Sequence, residues 1–277
     1  MEGPVPSPPV RNTLEIQVFG LQRSGNHGVI SWLLQQSETP VVFLNNVTHF
    51  TDPYLNFHVG AVPNMVPVSH NDPARIEALR QTPKPLLVYS YENLTLRRLA
   101  REPLVPDRDT ALGPSRRIRR VLLLRDFFNW AASRIKLFEY RKQDVDAVIQ
   151  NFDRLIMLWL SYAREFSAET GFLQVEDVVR VSYPRWAGDA EYRAYLLGRL
   201  GLPLRDNSNR VVPKVGGGSS FDTTTLSGQA DKMAVGERWK YLRQDRFAPL
   251  RAAIRARRAE IEPLNHALFD QPWVIQF

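Results

Sequence analysis

The sequence predicts an α/β fold with a single open parallel sheet flanked by helices. Three observations predict it. Five short apolar or β-branched runs are spread along the chain, each the length of a buried strand. Between them, apolar residues recur at helical spacing. The first run passes at once into a glycine-bounded turn and a helix, a unit typical of parallel sheets. At 277 residues the chain is long enough for one large domain with a substantial core.

Taken in order, the Pro-rich start at residues 1–12 predicts a disordered tail, leaving 13–277 as the folded domain. Strands are expected at 14–19, 40–44, 86–90, 121–124 and 178–182. The clearest helical pattern runs over 145–166, with Ile149, Phe152, Leu155, Ile156, Trp159 and Phe166 on one face and Gly171 closing it. A second helix is expected over 189–200, ending at Gly201. A C-terminal amphipathic pattern carries Leu250, Ile254, Ile261, Leu264 and Leu268, with Arg251, Arg255, Arg257 and Arg258 read as its solvated side. Two stretches are poorly periodic: 50–84, rich in Pro, Asn and His, and 212–233, rich in Gly, Ser and Thr. Long irregular segments in a compact domain are commonly binding walls or lids.

Composition narrows the chemistry. There is no cysteine, which excludes a disulfide scaffold, a thiolate nucleophile and a cysteine-ligated zinc. No apolar run reaches the roughly 18 residues of a membrane span, and the start has no basic segment followed by an apolar one. A cytoplasmic location is therefore expected. The formal net charge of +7 suits an anionic ligand. The C-terminal arginines, read as a solvated helix face, give no reason to expect a nucleic-acid partner.

The turn after the first strand is the most informative segment. Gly20 and Gly25 stand at the spacing of a phosphate-binding loop, between a strand and a helix whose N-terminal N–H groups converge on an anion. A nucleoside triphosphatase follows the second glycine with Lys and Ser or Thr, which hold the terminal phosphates and magnesium. Here Asn26 and His27 follow, and the cation lies inside the loop as Arg23. The loop reads as one that holds phosphate without the usual metal arrangement, and no metal site is expected.

A second element carries Arg125 at the end of an apolar strand and Ser133 eight residues on, in a helix. Together with Arg23-Ser24-Gly25, this pair resembles the two cofactor-binding elements of the sulfotransferase family. The resemblance continues through Val181-Ser182-Tyr183, Leu200-Gly201-Leu202-Pro203, Gly218-Ser219-Ser220-Phe221-Asp222 and Gly236-Glu237-Arg238-Trp239-Lys240, in the family's order. It implies a P-loop-like fold and use of 3′-phosphoadenosine 5′-phosphosulfate as co-substrate. It implies that Arg23, Ser24, Gly25 and Asn26 hold the 5′-phosphosulfate and that Arg125 and Ser133 hold the 3′-phosphate. Tyr183 and Ser220 belong to the same implied site, Phe221 is implied to stack on adenine, and Arg238 and Lys240 lie on the 3′-phosphate side. His27 either donates to phosphate or caps the helix start, and Trp239 is read as packing.

An acceptor hydroxyl or amine needs a base. Glu92, after the strand at 86–90, and His49, after Phe43-Leu44, stand where branches of the family place theirs. Glu92 is put ahead of His49. With Arg23 they form the expected catalytic set. The acceptor itself, whether small molecule, lipid or carbohydrate, is not encoded in any readable motif. Two other functions stay open on the residues alone: a nucleotide or sugar kinase with a degenerate loop, and a catalytically silent nucleotide-binding protein.

Overall fold

The structure is a computed structural model that describes residues 9–48, 50–62, 66–68, 71–173, 178–213 and 218–274, with 59–62 and 66–68 described in backbone only. The elements run β1 (Asn12–Gly20), α1 (Asn26–Gln35), β2 (Val41–Asn45), β3 (Val59–Val62), β4 (Val66–Val68), α2 (Pro73–Gln81), β5 (Lys84–Glu92), α3 (Arg108–Leu112), β6 (Ile118–Leu124) and α4 (Phe127–Tyr140). They continue with α5 (Val145–Gln150), α6 (Phe152–Phe166), β7 (Val178–Ser182), α7 (Tyr183–Gly188), α8 (Ala190–Leu200), α9 (Ala248–Ala256) and α10 (Arg258–Phe269).

The sheet order is β4-β3-β2-β5-β1-β6-β7. The five strands from β2 to β7 are parallel, as the sequence predicts, and each overlaps its expected run. Alternation along the strands feeds two cores. Leu14, Ile16 and Val18 pack with Val29, Ile30 and Leu33 of α1 and with Leu196, Leu197 and Leu200 of α8. On the opposite face, Phe19, Leu122 and Leu124 pack against α4, α6, α9 and α10 through Phe127, Trp130, Phe152, Trp159, Leu250, Ile254 and Ile261. That same face also buries Glu15, which accepts from Tyr89 Oη at 2.6 Å and Ser115 Oγ at 2.7 Å and pairs with Arg108. A buried carboxylate is tolerated only when its lone pairs are filled in this way.

Several expectations are corrected. The stretch 50–84 is not wholly irregular: β3 and β4 extend the sheet in antiparallel fashion, and α2 starts on Asp72, whose side chain accepts from Arg75 N at 3.0 Å. The helix expected over 145–166 is two helices broken at Asn151, and the second ends at Phe166, well before Gly171. Residues 1–8 of the expected tail lie outside the described residues, and Asn12, its last residue, opens β1 fully buried. Arg251 is not a solvated face residue. It is buried and donates to Leu242 O and Gln244 O at 2.8 and 2.7 Å. The helix over 190–200 ends as predicted, with Gly201 at φ 71° and Asp189 accepting from Tyr192 N at 2.9 Å.

Candidate nucleotide-binding site

Strand register assembles the site. Gly20 of β1 lies beside Glu92 of β5, and Leu124 of β6 beside Ser182 of β7. The loop after β1, Glu92, Arg125 and Tyr183 therefore meet at the C-terminal edge of one parallel sheet, where ligands of open α/β folds bind. There they border a cavity of about 710 Å³ that also takes in Asn26, His27, Asn45, Gly218 and Arg238.

The loop turns through two left-handed residues, Arg23 at φ 74° and Gly25 at φ 98°. Gly25 caps α1, and a Cβ there would lie 2.0 Å from the Tyr183 ring, so only glycine fits. Ser24 N–H is taken by Leu21 O at 3.0 Å, and its buried Oγ has no hydrogen-bond partner. The side chain of Arg23 donates to Gly218 O at 3.1 Å, tying the loop to the Gly-rich segment. His27 Nε2 contacts Asn45 Oδ1 at 3.0 Å. Asn26 donates to Leu21 O at 3.2 Å and to Glu92 Oε1 at 2.9 Å.

Arg125 is pinned from behind, its carbonyl accepting from Trp159 Nε1 at 3.0 Å. Its guanidinium donates to Ser133 Oγ at 3.2 Å and to Val235 O, and lies 5.0 Å from the Tyr183 ring centre. Asp126 caps α4 by accepting from Asn129 N at 3.0 Å and makes no ion pair with Arg125. Asn129 is the anchor that the sequence did not reveal. Its amide donates to Gly236 O at 3.1 Å and its carbonyl accepts from Trp239 N at 3.0 Å, docking the Gly236–Lys240 stretch onto α4. That contact brings Arg238 to Ser133 Oγ at 3.4 Å and Ser219 Oγ at 2.9 Å, with Asp222 at 3.3 Å.

Arg23, Arg125 and Arg238 thus converge on one cavity, and among the described residues Asp222 is the only carboxylate in contact with any of them. Burial first, then repulsion from Arg238, pulls both Arg23 and Arg125 down to about 10, and burial likewise lowers Arg238. All three stay charged at neutral pH. A cluster of this kind is set up to receive an anion.

Other predicted residues are placed differently. Ser133 is fully buried behind the two arginines, and Ser220 Oγ donates to Ser133 O at 3.2 Å. Phe221 sits beneath Arg238 at 5.1 Å and edge-on to Tyr241, and it does not border the cavity. Lys240 is exposed and paired with Glu237 at 2.9 Å, again away from the cavity. Trp239 packs on the core, as expected. His49 lies outside the described residues. The polar pair Asn45-Asn46, which closes β2 and borders the cavity, was missed, although two asparagines ending an apolar run were a readable sign.

The fold has a solved counterpart. The crystal structure of mouse sulfotransferase SULT7A1 complexed with PAP superposes with a TM-score of 0.51, covering 92% of this chain and 88% of that one at 11% identity. The fold is sulfotransferase-like. No protein-family model and no curated protein sequence matches the chain. No helix among the described residues is long and apolar enough to cross a membrane.

Proposed function

We propose that the protein is a sulfotransferase that moves a sulfuryl group from 3′-phosphoadenosine 5′-phosphosulfate to a hydroxyl or amine of an acceptor. The observation that carries this reading is the convergence of Arg23, Arg125 and Arg238 on one cavity at the C-terminal edge of the parallel sheet. Three cations on one cavity, of which only Arg238 forms an ion pair among the described residues, match a ligand with negative charge at both ends. In this reading Arg125 and Arg238, spaced by Ser133, hold the 3′-phosphate. Arg23, Ser24 Oγ and the N–H groups of Gly25 and the first turn of α1 hold the 5′-phosphosulfate. When bound, the co-substrate supplies an activated sulfuryl group with phosphate as its leaving group. Glu92 takes the acceptor's proton, Arg23 neutralises charge on the leaving side, and Tyr183 closes the wall against Gly25.

Calorimetry with the product nucleotide, adenosine 3′,5′-bisphosphate, in excess chelator tests the reading. Binding is expected without a divalent metal. No binding there, with binding of ATP–magnesium instead, would favour a degenerate kinase and overturn the proposal.

A further inference from the structure

We propose that the side chain of Asn26 positions the base: it ties the phosphate-binding loop to Glu92 and makes no contact of its own with the nucleotide. The inference rests on Glu92 acting as the base, as proposed above. A carboxamide has two N–H donors. Both are committed here, to Leu21 O at 3.2 Å and to Glu92 Oε1 at 2.9 Å, in a side chain only 4% exposed. What remains is Oδ1, an acceptor with no partner, which has nothing to offer a phosphate oxygen. The side chain after Gly25 thus serves the carboxylate and not the anion.

Its seat is specific. A Cβ at Gly20 would lie 2.1 Å from Asn26 Oδ1, so Asn26 occupies space that only a glycine leaves. Gly20 in turn pairs with Glu92 across β1 and β5. Asn26 therefore sits on the Gly20–Glu92 pair itself and fixes one carboxylate oxygen. Oε2 has no partner among the described residues, and Glu92 borders the cavity. The neighbouring residue does the same on the next strand: His27 Nε2 meets Asn45 Oδ1, which also accepts from Ser90 Oγ at 3.1 Å. The first two residues of α1 thus reach sideways to the ends of β5 and β2. Holding a carboxylate by a charge-assisted hydrogen bond restricts its rotamers and aims the second oxygen. In the step this serves, the acceptor O–H proton moves to Oε2 and the acceptor oxygen bonds to sulfur. The sulfur–oxygen bond to the 5′-phosphate breaks, and its electron pair leaves with the phosphate.

The test uses single-turnover decay of the phosphosulfate with water as the acceptor, so that no natural acceptor need be known. Asn26→Ala is expected to slow decay about 10- to 150-fold, the worth of a hydrogen bond to a charged group. Its affinity for adenosine 3′,5′-bisphosphate should stay within about 3-fold of wild type. Asn26→Leu, which keeps the volume and removes the donor, should behave alike and guards against a packing artefact. Glu92→Gln should slow decay about 10²- to 10⁴-fold, the range for loss of a base. The decisive measurement is the double variant. If Asn26 acts only through Glu92, adding Asn26→Ala to Glu92→Gln changes the rate by less than about 3-fold. Multiplying effects, or a large loss of nucleotide affinity in Asn26→Ala, would overturn the inference and make Asn26 a nucleotide ligand. Nucleotide binding with wild-type decay no faster than in buffer would remove Glu92 as base, and this inference with it. No nucleotide binding at all would instead overturn the reading of function.

Discussion

Replacing Arg125 by Met should separate binding from stability. Arg125 is about 1% exposed, and its pKa is pulled down to about 10, by burial first and by Arg238 second. A depression of that size is a cost on the charged form on the order of 3 kcal/mol. Against it stand two donated hydrogen bonds, to Ser133 Oγ and Val235 O, each worth roughly 1.5–3 kcal/mol when one partner is charged. The terms largely offset, so Arg125→Met without ligand should lose no more than about 3 kcal/mol of stability in urea. Nucleotide binding has no such offset. Loss of a charge-assisted contact of about 1.5–3 kcal/mol should weaken adenosine 3′,5′-bisphosphate about 10- to 150-fold and leave adenosine 5′-phosphate nearly unaffected. Thermal shift with and without each nucleotide reads both, because ligand stabilisation follows the dissociation constant. Equal weakening for the two nucleotides, or a ligand-free variant destabilised by several kcal/mol, would show that Arg125 is a structural residue.

Gly25→Ala combines a left-handed backbone with a Cβ driven into Tyr183, and should cost about 1–3 kcal/mol in urea unfolding together with most of the nucleotide affinity. Arg251→Ala removes two buried donated hydrogen bonds from the end of the 238–243 turn and should lower stability by roughly 2–3 kcal/mol, whereas Arg255→Ala on the exposed side should change it by less than about 0.5 kcal/mol. Lys84 is lowered from 10.5 to about 8, by burial and then by Arg11. The unfolded chain therefore binds the extra proton between those values, and stability should rise with pH from about 8 to 10.5. Lys84→Met should flatten that rise in denaturation curves taken across the window and stabilise the protein at pH 7; a flat wild-type curve would contradict the argument.

The parallel strands were legible because each contains a short run dominated by apolar or β-branched residues, interrupted only by Glu15 and Gln17 in β1 and Arg180 in β7. The helix over 190–200 was legible because Asp189 and Gly201 mark its ends. The antiparallel extension was hidden by its brevity and by Pro67 inside β4, a residue that reads against a strand. The helix α2 was hidden because Ile76 is its only buried residue, so no apolar stripe shows, although Asp72-Pro73 is a sound start signal. In the site, Arg23, Glu92 and Arg125 were readable from their place after strands, and Arg238 from the family resemblance of residues 236–240. The roles of Asn26 and Asn129 were not, because their partners lie 66 and 107 residues away and an asparagine has no sequence signature for a distant carbonyl or carboxylate.

Ser133 holds a single hydroxyl proton, and it is spent on Asn129 O at 2.9 Å. Toward Arg125 and Arg238 its oxygen can only accept. It stands between the two guanidiniums much as an oxygen of a bound anion would, and keeps mutually repelling side chains at working separation before any ligand arrives. The entropy of ordering two long side chains is thus settled during folding and not charged to each binding event. Capture then requires little rearrangement, and differences in affinity among variants of this site should be expressed in residence time: nucleotide departs slowly from an intact template and quickly from a damaged one.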